Sequence, residues 1–150
     1  MTITFPSNTK EVINDIRDAI GRTITFNTLV SQSGCPVVGC NLDPVTNTST
    51  NSFCPTCGSK YWINTYVDSE VTAHVRWKSM DADLWHTGGI TWRGDCRAQI
   101  EYSAANITIL DNSETVQVDG KLMSIEEKIY KGVPELNRIV LILNEEETDV

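Results

Sequence analysis

The hydrophobic pattern of the chain predicts a single helix near the N-terminus. Apolar residues recur there at helical spacing on one face: Val12, Ile13, Ile16, Ala19 and Ile20. Polar and charged residues occupy the opposite face: Lys10, Asn14, Arg17 and Asp18. Asn8 and Glu11 have the spacing of a loose capping box, and Gly21 stands where a helix would end. We expect an amphipathic helix that packs on its own domain or on a neighbour.

After this helix the apolar positions alternate with polar ones, which is typical of strands that bury one face. The alternating sets are Ile24 and Phe26; Val71, Ala73, Val75 and Trp77; and Cys96, Ala98 and Ile100. Asp119-Gly120 lies between two β-rich runs and predicts a hairpin, because both turn positions tolerate a positive φ. Residues 138–143 form a final buried strand, and the closing EEETDV is expected to fray.

These patterns predict a mainly β fold: a small antiparallel β-barrel or sandwich with an N-terminal α-helix, in a single domain over residues 1–150. The segment 34–62 interrupts it after the first strand. The alternation also predicts which side chains point inward: Val71, Ala73, Val75, Trp77, Val116, Val118, Ile139 and Leu141.

Composition and charge limit the kinds of partner and the cellular compartment that we expect for this chain. The formal net charge of −8 and the pI of about 4.6 disfavour a broad nucleic-acid-binding surface, because affinity for phosphate chains comes largely from Lys and Arg. No apolar run approaches the length of a membrane helix, and the N-terminus lacks the features of a signal peptide. We therefore expect synthesis in a reducing cytoplasm, where paired cysteines bind metal more often than they form disulfides.

Four of the five cysteines lie in the interrupting segment: Cys35, Cys40, Cys54 and Cys57. They form two close pairs, the second within CPTCG, which has the form of a zinc knuckle. Four thiolates at tetrahedral reach suit Zn²⁺, and the sequence predicts one Zn²⁺ bound by these residues. Two disulfides or free thiols are the alternatives, and a redox-active CxxC is less favoured because no strand–helix context follows Cys57. With all four positions filled by sulfur the metal would be structural, folding a segment as polar as NLDPVTNTSTNSF.

The sequence context of the remaining candidate residues favours ordinary structural roles over binding or catalysis. His74, on the polar face of its strand, is expected to face solvent, and Cys96 to be a small buried apolar residue. Arg93-Gly94-Asp95 spells a cell-adhesion tripeptide, but three residues recur by chance. The stretch 79–89, with Trp77, Trp85 and Trp92, could stack on a ligand or pack at a subunit contact. His74 or His86 could be a fourth metal ligand if one of the four cysteines were free. Asp81 and Asp83 match no acid–base geometry, and the sequence predicts no enzyme.

The order of features from Val71 onward resembles the stopper, or head-completion, proteins of the head–tail connector in tailed bacteriophages. The corresponding stretches here are VTAHV (71–75), GDCRAQI (94–100), VQVDGK (116–121) and NRIVLIL (137–143). The N-terminal helix and IGRTITF (20–26) resemble the entry into the same barrel. The resemblance spans most of the chain, while the cysteine segment departs from the simplest members.

The resemblance implies a structural virion protein at the head–tail interface, made in the host cytoplasm. Such a protein forms a ring with itself and contacts portal or adaptor proteins and tail-terminator or tail-tube proteins, without a membrane. DNA would pass through the channel without sequence-specific binding. The alternative hypothesis is a monomeric zinc-ribbon module that recruits a nucleic-acid or protein partner. The segment 34–62 contains Lys60 as its one basic residue, which favours the connector.

Overall fold

The computed structural model describes Thr4, residues 6–78 and residues 94–146. Two helices and six strands lie in these described ranges: α1 (Thr9–Ile20), β1 (Arg22–Gly34), β2 (Trp62–Trp77), β3 (Cys96–Glu101), α2 (Ala104–Asp111), β4 (Ser113–Val118), β5 (Lys121–Lys131) and β6 (Arg138–Glu145). The strands form a closed antiparallel barrel in the order β1-β2-β3-β6-β5-β4. The predicted fold class is confirmed: a mainly β chain with an N-terminal helix, a barrel and a cysteine cluster.

The chain forms two compact units. One comprises Met1–Asn27 and Asp68–Val150, and we call it the barrel unit. The other, Thr28–Val67, is the cysteine unit, and it includes the whole of the predicted insertion. The boundary is crossed within β1 and within β2, whose ranges belong partly to each unit.

The interior of the barrel unit contains the residues that the alternation predicted. Ala73, Val75, Val116, Val118, Ile139 and Leu141 are buried, and Val71 and Trp77 are half-buried against the same core. Antiparallel pairing places Val75 opposite Ala98 and Ala98 opposite Leu141, so small and large side chains alternate across three neighbouring strands. A shift of one residue would turn every one of these side chains outward, and the predicted register is therefore confirmed.

The predicted hairpin turn lies between β4 and β5. Asp119 and Gly120 both have positive φ, 51° and 81°, as a tight two-residue turn requires. The Asp119 carboxylate Oδ2 accepts hydrogen bonds from Arg22 Nη1 at 2.6 Å and from Trp77 Nε1 at 2.8 Å. One turn side chain therefore connects the start of β1 with the end of β2.

Helix α1 forms where predicted, but two details differ. Asn8 makes no side-chain capping hydrogen bond, because its backbone is not extended as an N-cap residue usually is. Arg17, expected on the exposed face, is 5% exposed, while the apolar Ile16 and Ile20 are 54% and 60% exposed. The hydrogen bonds of Asn14 explain why Arg17 is buried while the two isoleucines are exposed. The Asn14 amide accepts from Arg17 Nη1 at 2.7 Å and donates to Glu101 Oε1 at 2.9 Å, so polar partners draw this side of the helix inward.

Helix α2 was not predicted from the sequence. Its N-cap is Ser103, whose hydroxyl accepts a hydrogen bond from Asn106 N at 3.2 Å. Leu110 is fully buried in the barrel core, with Ile107 and Ile109 packed beside it. The helix has eight residues, and its apolar residues span too few turns to show a helical period.

Candidate metal centre

The backbone of the cysteine unit folds as an irregular hairpin. Leu42 and Ser49 form an isolated antiparallel bridge, and Asp43 N donates to Thr48 O at 2.8 Å. Asn47, at φ 55°, forms the turn between them. This polar run is held by backbone and hydroxyl hydrogen bonds, in agreement with its shortage of apolar residues.

The two cysteine pairs converge. All four Sγ atoms lie within 4.8 Å of one another, with 3.7 Å between Cys35 and Cys54 and 3.5 Å between Cys40 and Cys57. Zn–S bonds of ~2.3 Å in a tetrahedron separate the sulfurs by about 3.8 Å, whereas a disulfide brings them to about 2.05 Å. The cysteines are free thiols, and their spacing suits a shared metal ion. This cluster is the one group of metal-ligating side chains found in the described part of the chain.

Backbone amides prepare one thiol of the cluster for ionisation. The N–H groups of Cys57 and Thr56 donate to Cys54 Sγ and lower the pKa of this thiol to about 6, against an ordinary value near 9. Gly58, at φ 54°, allows the tight turn that ends CPTCG. A thiol that ionises near neutral pH gives a metal ion its first ligand.

The pKa values of Cys40 and Cys35 are raised, so these two thiols retain their protons in the metal-free cluster. The Ser49 hydroxyl, 2.9 Å from Cys40 Sγ, lowers the pKa of Cys40, but loss of hydration and the neighbouring thiols outweigh it and raise that pKa to about 12. At Cys35 the amide of Val37 acts in the same lowering sense, and burial among thiols leaves the pKa raised. Binding of a divalent cation would therefore displace protons from the cluster.

Ser49 holds the site from outside the ligand set. It is 8% exposed, its Oγ accepts from Asn51 N at 3.0 Å, and its backbone N–H donates to Ser59 O at 2.9 Å. Partners of this kind orient metal ligands and fix the loop around them. The sequence analysis did not single out Ser49, because one serine in a Ser/Thr/Asn-rich run carries no distinctive signal.

Packing alone gives the cysteine unit little support. The four cysteines are 2–9% exposed, and no other apolar side chain of Thr28–Val67, a range described in full, is buried. Val37, Tyr61 and Ile63 pack half-buried against the sulfurs. Val38, Val45 and Phe53 are 99%, 89% and 93% exposed. The sulfur cluster is the centre of this unit.

The other predicted candidates belong to the barrel unit. His74 is half-buried on the outward face of β2, and so is less exposed than expected. Cys96 is fully buried, as predicted, and loss of hydration raises the pKa of its thiol to about 11. Asp95 Oδ2 accepts a hydrogen bond from Glu145 N at 3.0 Å. Several candidates lie outside the described residues: Asp81, Asp83, Trp85, His86, Gly88, Gly89, Trp92 and Arg93.

Comparison with known proteins adds no identity. No family model matches this chain, and no curated protein is significantly similar to it. In the described ranges, neither helix has the length and apolar character needed to cross a membrane.

Proposed function

We propose that this chain is a structural, non-catalytic virion protein of a tailed bacteriophage, a ring-forming head–tail connector of the stopper type. The observation that carries the proposal is where the four stretches behind the sequence resemblance lie. VTAHV belongs to β2, Gly94-Asp95 directly precedes β3, VQVDGK forms the β4–β5 turn, and NRIVLIL forms β6. All four lie on or beside barrel strands, in the order that the resemblance requires.

Charge and surface chemistry support a ring around DNA. The formal net charge of −8 disfavours adhesion of phosphate chains, which suits a channel through which DNA must pass. A closed barrel has no free sheet edge, so copies would join through side chains and loops. Ile16 and Ile20 of α1 offer an apolar surface for such a contact.

We further propose that the cysteine centre binds Zn²⁺ through Cys35, Cys40, Cys54 and Cys57. Four sulfur donors near tetrahedral spacing fit this ion and leave no coordination position for water or substrate. When bound, the ion would supply folding free energy to the cysteine unit and no reaction chemistry. Ser49 and the amides of Thr56 and Cys57 would hold the ligands in place.

The test is performed on particles. Virions in which Cys54→Ser and Cys57→Ser replace the second ligand pair should package DNA and then leak it or fail to join tails. Particles carrying Ser52→Ala, a change at an exposed residue beside the site, should be fully infectious. Infectious double-variant particles with intact necks would contradict a role of the metal centre in assembly. A monomer that binds nucleic acid tightly at physiological salt would support the zinc-ribbon module instead.

A further inference from the structure

The outer surface of the barrel unit contains a groove beside α1 that is lined by both apolar and polar side chains. Two adjoining cavities, of about 210 Å³ and 460 Å³, share Ile13 and Arg138 in their walls. We call them together the α1 groove. Ile16 and Ile20 line one end, and Leu136 lines the other and is 42% exposed. The partly exposed Ile16 and Ile20 make this groove a candidate contact surface.

The charge of the α1 groove is opposite to that of the chain. Among the residues that the structure describes, the charged ones lining it are all basic, namely Arg17, Lys131 and Arg138, and none of the described lining residues is a carboxylate. Glu101 and Asp18 act on the charge of Arg17, and Lys131 and Arg138 are the other two basic residues of the lining. An occupant that is apolar with a modest negative charge would match this lining.

The cysteine unit has that chemistry. Its ionisable side chains besides the thiols and tyrosines are Asp43 and Lys60, which cancel, so the formal charge of −8 belongs entirely to the barrel unit. Four thiolates around Zn²⁺ would add two formal negative charges. The unit also presents apolar side chains to solvent, the largest being Phe53 at 93% exposure.

Hydrogen bonds order the backbone of the turns that carry these apolar side chains. Phe53 N donates to Asn51 Oδ1 at 3.1 Å, and Val45 N donates to Asp43 Oδ1 at 2.8 Å. Cys40 N donates to Val37 O at 3.0 Å across the turn that contains Val38. Side chains presented on ordered turns lose less conformational entropy on binding than those on free loops.

We propose that the cysteine unit of one copy docks into the α1 groove of a second copy, with Phe53 as the principal apolar contact. This inference rests on the proposed ring function and names the contact between its subunits. Two barrel units would repel each other through their shared negative charge, whereas a cysteine unit meets a groove of opposite sign. Because the two surfaces differ, the contact is heterologous and can be repeated around a ring.

The test uses complementation between two variants of the full, zinc-loaded chain. Phe53→Ser removes the apolar contact, and Ile16→Glu places a carboxylate in the groove. Both residues are more than half exposed, and circular dichroism with zinc content confirms that each variant folds. We expect light scattering to show that the wild-type protein self-associates. Each variant alone should self-associate at least about tenfold more weakly.

An equimolar mixture should form one-to-one dimers, because the Phe53→Ser copy retains its groove and the Ile16→Glu copy retains its cysteine unit. The matched controls are Phe53→Leu, which remains apolar, and Ala19→Glu, which adds the same charge to α1 away from the groove lining. Both controls should associate like the wild type. Wild-type protein that is still monomeric at millimolar concentration, variants that associate normally, or a monomeric mixture would each overturn the proposal.

Isotope labelling separates contacts between copies from contacts within one. Heavy protein carrying Phe53→p-benzoylphenylalanine is mixed with light wild-type protein, irradiated and digested. Crosslinks from heavy position 53 to light peptides of α1 or 130–138 support the proposal, and crosslinks confined to heavy peptides refute it. Infectivity of the ligand-pair variants tests the connector role separately. If the two variants form one-to-one dimers but the chain is absent from virions, the proposed contact stands and the connector role is rejected.

Discussion

Loss of one sulfur ligand should unfold the cysteine unit while the barrel unit stays folded. Cys54 is the most informative position, because its thiol is 2% exposed and is the one whose pKa falls to about 6. Cys54→Ser replaces this ready ligand with a hydroxyl that remains protonated. We expect stoichiometric zinc in the wild type and little or none in the variant.

The magnitude follows from how little else the unit buries. Complete burial of one aliphatic or aromatic side chain stabilises a fold by about 1.5–3 kcal/mol. The three half-buried side chains that pack against the sulfurs, Val37, Tyr61 and Ile63, therefore contribute at most about 5 kcal/mol together. Structural Zn²⁺ contributes ~10–16 kcal/mol in small metal-folded units. A bound zinc ion would thus supply the larger part of the free energy that offsets the entropy of ordering the segment.

Hydrogen exchange with mass spectrometry measures the two units separately. Peptides within 35–60 should lose protection in Cys54→Ser, while peptides of β3 and β6 should keep theirs. Cys96→Ser is the matched control, since the same chemical change falls in the barrel core. It should leave zinc content unchanged and lower barrel stability by about 1–3 kcal/mol through a buried hydroxyl. Equal protection of 35–60 in wild type, Cys54→Ser and chelator-treated protein would refute the reasoning.

Two further predictions concern the barrel. Leu141→Ala should lower the free energy of unfolding by about 2–5 kcal/mol in urea titrations, because the side chain is fully buried, whereas Leu122→Ala, at a 42% exposed position, should cost much less. Equal losses would mean that the inward face is misassigned. The raised pKa of Cys96, near 11 against an ordinary 9, favours the neutral thiol in the folded state. The contribution of the neutral Cys96 thiol to the free energy of unfolding is therefore complete below pH 9 and is lost as pH rises through 11. Between pH 8 and 11 the wild type should lose about 2 kcal/mol more unfolding free energy than Cys96→Ala, and parallel curves would contradict this.

The strands and their inward faces could be predicted because a period of two is a local signal. Val75 and Ala98 point into the barrel because successive side chains of a strand point to opposite faces, and this alternation depends on no distant residue. The Asp119-Gly120 turn was equally local, since its residue types set the backbone angles. The proximity of the four cysteines could be predicted because spacing and ligand chemistry require the two pairs to meet.

The features that sequence reasoning missed depend on partners far along the chain. Burial of Arg17 requires Glu101, which lies more than eighty residues away and reaches it through Asn14. Helix α2 is short, and its position is fixed by insertion of Leu110 into the core. The α1 groove is formed by residues of α1, β2, β3, β5, β6 and the β5–β6 connection, and no single segment carries its pattern.

The position of the cysteine cluster in the chain bears on how the barrel is assembled in time. Strands β1 and β2 are neighbours in the barrel but are separated in sequence by the segment 35–61, so their pairing requires closure of a long polar loop. Cys35 directly follows β1, and Cys57 lies shortly before β2. A metal ion bound early by these cysteines would bring the end of β1 close to the start of β2. The two strands could then pair progressively from that point. Refolding of the barrel should then be faster when zinc is present from the start than when it is added after the chain has folded.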